Sequence, residues 1–320
     1  MDFRLTQDQL ELQNAVRDYL TAEHDAALLR RLDAGDSRDP AIWDGLVDMG
    51  LTGILVPQDC GGLGLGLVEA ALVAIELGRA NVSEPLADTA LIAAPLTSAE
   101  QQSEIATGKL KVALAHNVNP WIADLDQAGL VLGSTHTESA TPLESVDPLR
   151  RLFASDETSG SNDLLDRAAL ITAAQLLGIS EHILSLATDY ANQRVQFGQP
   201  IGKFQAIKHH LASVAVKIEF ARPVLLRAAY ALENNQSGAA LHISHAKVAT
   251  TDAAMLAGET AIQVHGAMGY TYEVDLHFWM KRAWALAGAW GDRAFHIRRI
   301  EAGVFTGALE TNHSNIFSKE

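Results

Sequence analysis

The sequence predicts a mainly α protein with a helical N-terminal domain, a reduced β-rich middle region and a C-terminal four-helix bundle. Three observations carry this expectation. Apolar residues recur at helical spacing over residues 1–97 and again over 161–320. Between them, residues 98–160 hold only short β-like runs separated by Asn, Pro, Ser and Thr. The four longest apolar-striped segments all follow residue 160, and helices of that kind need one another to bury their faces.

In chain order, Thr6 with Gln9 forms a capping-box pattern ahead of Leu12, Val16, Tyr19 and Leu20. Asp39-Pro40 is an N-cap followed by proline at the first helical position, and that helix, Ala41–Met49, is expected to stop at Gly50. A glycine-rich turn leads to an apolar helix at Leu67–Arg79, and a further helix near Ala87–Ala93 is expected to end before Pro95. In the middle region, Lys111–Ala115 and Gly129–Leu132 read as strands, whereas Gly133–Ser145 is rich in Ser and Thr. Four long helices then follow: Leu164–Arg194, Phe204–Asn234 with Pro223 inside it, Ala239–Val264 and Leu276–Ala302.

Composition narrows the function. Of 320 residues, 48% are hydrophobic and 20% charged, enough apolar mass for a large core. A net charge of −15 argues against nucleic acid as a partner, because phosphate neutralisation needs clustered cations. The single cysteine, Cys60, excludes an internal disulfide and a cysteine-based zinc site. The N-terminus lacks the apolar core of a signal peptide, and the best apolar run, Leu67–Leu77, carries Glu69 and Glu76, so the expectation is a cytoplasmic protein with no membrane partner. No P-loop and no Gly-x-Ser-x-Gly elbow occurs, and the glycines after Ile54 lack dinucleotide-binding spacing. His242 and His245 lie three apart without a third ligand placed by local spacing, so no metal is expected.

Two segments carry candidate chemistry. Asn192–Gln205 interrupts two helices with Gly198 and Gly202, and it presents Arg194, Phe197 and Gln205. A guanidinium, an amide and an aromatic ring on a rigid loop suit a pyrophosphate and a nucleobase, and equally describe an ordinary interhelical loop with a surface arginine. Gln263–Asp275 contains Gly266, Gly269 and Glu273, the last between Tyr272 and Val274. A carboxylate among apolar groups gains proton affinity and suits a general base. The other reading makes it part of a helix start, a task for which Asp275 is better placed.

At these residues the sequence resembles the acyl-CoA dehydrogenase family of flavoproteins. The opening MDFRLTQDQLELQNAVRDYL resembles its first helix, and GLTGILVPQDCGGLGLGLVEAALVAIELGRA resembles its GL-x-G-x-x-x-PE-x-x-GG-x-G segment. Arg194-x-x-Phe197-Gly198 with Phe204-Gln205 resembles the flavin loop, and Gln263–Glu273 the segment carrying the base. The resemblance implies α,β-dehydrogenation of an acyl-CoA. A base removes the α-proton, the β-hydrogen leaves as hydride to FAD, and electrons pass to an electron-transfer flavoprotein. It makes Glu273 the base and places Arg194, Phe197, Gln205, Gln263 and Gly266 against the ADP part of FAD, in family oligomers the FAD of a neighbouring subunit.

The chain departs from the pattern in three places. The middle region is short, with no Thr-Glu-Pro segment and no matching Trp loop; Trp121 stands in another context. Gly266-Ala267 replaces a Gly-Gly pair. The Tyr-Glu-Gly-Thr segment is replaced by Leu286–Arg293. Tyr272–His277 with Lys281-Arg282-Ala283 resembles the branch that shortens steroid side chains, in which a subunit with a degenerate middle domain pairs with a fuller one. This implies a composite site in a heterotetramer with two copies of each subunit. The competing readings are a non-catalytic structural subunit, and an acyl-CoA oxidase or monooxygenase on the same fold.

Overall fold

The computed structural model describes residues 3–134, 140–154 and 158–307. Part of the Gly133–Ser145 stretch therefore lies outside the described residues. The N-terminal helices are α1 (Gln7–Glu23), α2 (Ala26–Asp33), α3 (Pro40–Asp48) and α4 (Leu67–Arg79). The Thr6–Gln9 capping box is formed in both directions, and the Asp39 side chain accepts from the Ala41 N–H with Pro40 at the helix start.

The next helix differs from expectation. Ala87–Ala93 is wound as a π-helix and runs on into a 3-10 turn at Ala94–Leu96 instead of ending before Pro95. Proline at the second position of that turn loses no bond the turn needs. A short α5 (Ala99–Ala106) follows.

The middle region is two small sheets. β1 (Val112–Leu114) and β3 (Leu130–Leu132), the two expected runs, pair in parallel. β2 (Trp121–Ala123), β5 (Leu152–Ala154) and β4 (Thr141–Leu143) form an antiparallel sheet in that order.

The bundle is built by α6 (Asn162–Gln193), α7 (Gln205–Glu233), α8 (Ala239–His265), α9 (Leu276–Gly288) and α10 (Arg293–Phe305). α6 is long and apolar enough to meet the length and hydropathy measure of a membrane span, but 67% of its most apolar window is buried within the protein. The expected Leu276–Ala302 helix is two helices. They are parted at Trp290 (φ 58°) and Gly291 (φ 93°), and Asp292 caps α10 by accepting from the Phe295 N–H at 2.7 Å. The buried Lys247 Nζ donates to the carbonyls of Leu286 and Ala287 (3.1 Å each) and Gly291 (3.2 Å), satisfying acceptors that the end of α9 leaves open. Burial pushes that ammonium down to about 7.

One continuous hydrophobic core runs from Val16 in α1 through α4 to Trp290, so the N-terminal helices and the bundle share it. α4 is buried on nearly all sides against α1 and α6. It meets α6 at a pair of glycines. A Cβ on Gly78 would stand 2.1 Å from the Gln175 carbonyl oxygen, and one on Gly178 would stand 1.8 Å from that of Ile75. Only glycine on both helices permits this backbone approach.

A second tie is polar. Arg282 in α9, buried, pairs with the buried Asp147 of the middle region and donates Nη1 to the Val82 carbonyl at 2.8 Å. Arg38 pairs with Asp124 at 2.7 Å and reaches the Leu149 carbonyl at 3.1 Å. Asn119 accepts from the Trp290 N–H at 3.1 Å. The middle region is thus held to both helical parts by charge and hydrogen bonds, beside the apolar packing of Val112, Leu114 and Leu149 into the shared core.

Within this cluster, burial pushes the Asp88 carboxyl from 3.8 up to about 6, with Arg150 opposing and Asp124 adding to the shift. The folded chain therefore keeps a proton that the unfolded chain releases between about pH 4 and 6. Rising pH costs stability across that window, and the cost stays constant above it. Asp88→Asn is expected to raise stability at pH 7–8 and to flatten this part of the pH dependence, read from urea midpoints across pH.

Candidate active site

The bundle topology gathers the candidate residues. α6 and α8 run one way and α7 returns, so the α6–α7 loop, the start of α7 and the segment after α8 share one end. Arg194, Phe197, Gln205, Gln263 and Gly266 lie at that end, Glu273 follows in the turn that leads to α9, and all six are exposed.

Arg194 is the C-cap of α6, its N–H donating to the Tyr190 carbonyl at 2.8 Å. A two-residue hairpin follows, with Val195 opposite Pro200 and Gln196 opposite Gln199. Its tip is Phe197 (φ 52°) and Gly198 (φ 80°), the positive-φ pair that a tight hairpin of this hand requires. Phenylalanine is costly there, and its side chain is 93% exposed, gaining no burial in return. A strained, fully exposed aromatic is the strongest local sign that this loop meets something outside its own chain. Phe204 packs edge-on to Phe197 with ring centroids 6.1 Å apart. It also occupies the N-cap of α7 without a side-chain cap, so the first N–H groups of α7 are free of capping from this chain's side chains.

At the end of α8, Gly266 adopts φ 61°, ψ −135°, a conformation that glycine alone takes readily, and a Cβ there would meet nothing within 4 Å. The two segments are joined by a clamp that sequence reading missed. The rings of Tyr190 and His265 stack at 4.2 Å, the Tyr190 hydroxyl donates to the His265 carbonyl at 3.4 Å, and His265 Nδ1 lies 2.8 Å from the Ala261 carbonyl. The available signal was Tyr190 standing one turn before Arg194 on the same helix.

Glu273 lies in the turn before α9, its N–H donating to Thr271 Oγ1 at 3.3 Å. The expectation of an apolar enclosure is not met within this chain: Glu273 is exposed, Tyr272 is 74% exposed, and only Val274 is partly buried. The reason is that no other element among the described residues covers this turn. Asp275 also differs from expectation. It stands at the N-cap of α9 in helical conformation with no capping bond, because Arg30 holds both its carboxylate oxygens at 2.8 and 2.6 Å.

A half-open cleft of about 310 Å3 adjoins this turn through Asp275, lined by Arg17, Leu20, Arg79, His182 and Trp279. His182 stacks on Trp279 at 4.0 Å, and burial with the nearby Arg79 pushes it down to about 4, so it is a neutral ring. The interior cavity where the three regions meet is only about 40 Å3 and is lined by Asp88, Asp124, Arg150, Arg282 and Trp290. It is too small and too charged to take an acyl chain. Trp290 lies in the Leu286–Arg293 replacement segment, which Lys247 and Asn119 hold in place. Among the described residues no group of three His, Cys, Asp or Glu could hold a metal.

The comparisons with known proteins define the class. Residues 6–109 match the acyl-CoA dehydrogenase N-terminal domain and residues 161–305 the acyl-CoA dehydrogenase C-terminal domain. The chain belongs to the acyl-CoA dehydrogenase family. It is 34% identical to the acyl-CoA dehydrogenase IpdE2 of Mycobacterium tuberculosis over 306 residues, covering 89% of this chain and 94% of that protein. In fold it is similar to a chain of the ChsE4-ChsE5 complex from Mycobacterium tuberculosis (TM-score 0.83, 21% identity, 98% and 100% of the two chains). It is likewise similar to a chain of the Tcur3481-Tcur3483 steroid ACAD (TM-score 0.81, 22% identity, 94% and 99%).

Proposed function

We propose that this chain is one subunit of a heteromeric acyl-CoA dehydrogenase whose active site is completed by a second, fuller acyl-CoA dehydrogenase-like subunit. The carrying observation is the bundle end shared by the α6–α7 loop and the end of α8, where Arg194, Phe197, Gln205, Gln263 and Gly266 are exposed, Phe197 at 93% in a strained turn. The donor set fits the ADP part of FAD. Arg194 and the uncapped start of α7 suit the pyrophosphate, Phe197 offers a stacking face, Gln205 and Gln263 offer amides, and Gly266 leaves room for close backbone approach. FAD, when bound, supplies the two-electron acceptor.

In this reading Glu273 takes the α-proton of the acyl-CoA thioester, and the second subunit covers it, excluding the water that otherwise surrounds it. The interior cavity where the three regions meet is too small and too charged for an acyl group, which this reading places in the partner. A steroid side-chain CoA ester is the substrate class proposed, by likeness to the steroid ACAD, with an electron-transfer flavoprotein as the electron acceptor. The exposure of Glu273 favours one further reading, in which the partner also supplies the base and this chain only the ADP-side contacts.

The test is co-expression with a full-length acyl-CoA dehydrogenase-like subunit and a count of flavins per chain. Arg194→Ala is expected to lower flavin content at least tenfold at limiting FAD without changing subunit mass. A yellow, active homotetramer of this chain alone would defeat the composite site.

A further inference from the structure

The half-open cleft of about 310 Å3 lies where α1, α4, α6 and α9 converge, and none of the six candidate residues lines it. Small-molecule sites span about 300–1,000 Å3, so this one suits a compact ligand and is too small for a nucleotide or a CoA. Leu20 from α1, Leu186 from α6 and Trp279 from α9 give it apolar walls.

Its polar side carries donors that the fold leaves unused. The buried Glu76 carboxylate accepts from Gln13 (2.7 Å), from Arg17 Nε (2.9 Å) and Nη2 (2.7 Å), and from Arg79 Nε (3.0 Å). That carboxylate is saturated, but the guanidinium groups are not. Arg79 Nη2 pairs with Glu181, whereas Nη1 of Arg17 and Nη1 of Arg79 have no hydrogen-bond partner among the described residues, and both side chains are partly exposed. Glu181 is shared with Arg222, so three guanidinium groups stand around two carboxylates. Asp18 near Arg17 and Glu219 near Arg222 are exposed, where water screens them. The other acids of the lining are occupied: Asp25 accepts from the Leu28 N–H at 2.8 Å, and Asp275 is held by Arg30. His182, stacked on Trp279, is a neutral ring with no described hydrogen bond on either nitrogen.

Two guanidinium edges and one imidazole N–H thus line a small space that is otherwise apolar. A planar carboxylate matches guanidinium edges and accepts on both oxygens. A cation would be repelled by Arg17 and Arg79, and a bare phosphate would gain nothing from the apolar walls. We propose that this cleft binds a small carboxylic acid with a compact apolar body, its carboxylate on Arg17, Arg79 and His182 and its body against Leu20, Leu186 and Trp279. The site stands independently of the flavin reading, and through Asp275 its occupant lies beside the start of α9.

Titration calorimetry of the full chain tests it, with hexanoate as the probe and hexanamide as its uncharged counterpart. Hexanoate is expected to bind one site with a Kd on the order of 0.1–1 mM, and hexanamide at least about tenfold more weakly. His182→Phe keeps the stack but removes the ring nitrogens, and it should weaken hexanoate several-fold. Arg17→Gln should weaken it about tenfold or more. Because Arg17→Gln also takes two donors from the buried Glu76, Leu186→Trp is the decisive variant: it fills the apolar part, leaves every ion pair in place and should abolish binding. The proposal is overturned if hexanoate shows no saturable binding up to about 20 mM, roughly twenty times the weakest affinity expected. Equal binding of hexanamide overturns it as well, as does a natively folded Leu186→Trp that binds hexanoate like the wild type.

Discussion

The Glu273→Gln variant of the assembled enzyme is expected to lose about 10²–10⁴-fold in turnover, the range a positioned general base contributes, with subunit mass and flavin content unchanged. The amide matches the carboxylate in size but cannot take the α-proton. The turn does not depend on the carboxylate for its shape, since the bond that holds it there runs from the Glu273 N–H to Thr271 Oγ1. Loss of kcat with little change in KM is therefore the expected signature. Arg194→Ala should behave oppositely, losing flavin first and turnover in proportion. If Glu273→Gln retains full turnover, the base belongs to the partner and this chain keeps only its nucleotide-side role. The position taken by the family's Tyr-Glu-Gly-Thr segment gives no internal substitute, because Leu286–Arg293 ends in a turn with the buried Trp290 at its centre.

What could be read beforehand follows how local each determinant is. α4 was legible end to end. Glu69 reaches back to the Gly66 N–H at 3.1 Å, and the continuous apolar run from Leu67 needs only burial. The shared end of Arg194 and Gly266 follows from counting antiparallel helices once their lengths are known. The break in Leu276–Ala302 was not legible in the same way. Gly288, Gly291 and Asp292 mark it locally, but Lys247 and Asn119, which hold it open, come from other elements. The exposure of Glu273 was equally hidden: Tyr272 and Val274 flank it in sequence, yet neither encloses it, and enclosure depends on which chain packs over this turn.

Arg282→Met is expected to be strongly destabilising. Asp147 is 1% exposed, and removing its partner leaves a buried carboxylate with only the Leu149 N–H at 3.1 Å among its described hydrogen bonds from the chain. Breaking a buried pair from one side costs about 3–5 kcal/mol. The Val82 carbonyl also loses the Arg282 Nη1 donor, 2.8 Å away. The pair is not itself a large source of stability, because both ions had to leave water. Replacing both, as Arg282→Met with Asp147→Leu, should therefore recover much of the loss, which urea denaturation of the two singles and the double would show as a non-additive cycle. The single variant should also expose the middle region to limited proteolysis before the bundle unfolds, since this pair is one of the few direct ties from that region to α9. If Arg282→Met and the double are equally unstable, the cost lies in the lost Val82 bond and packing, and the pair does not act as a charge-coupled latch.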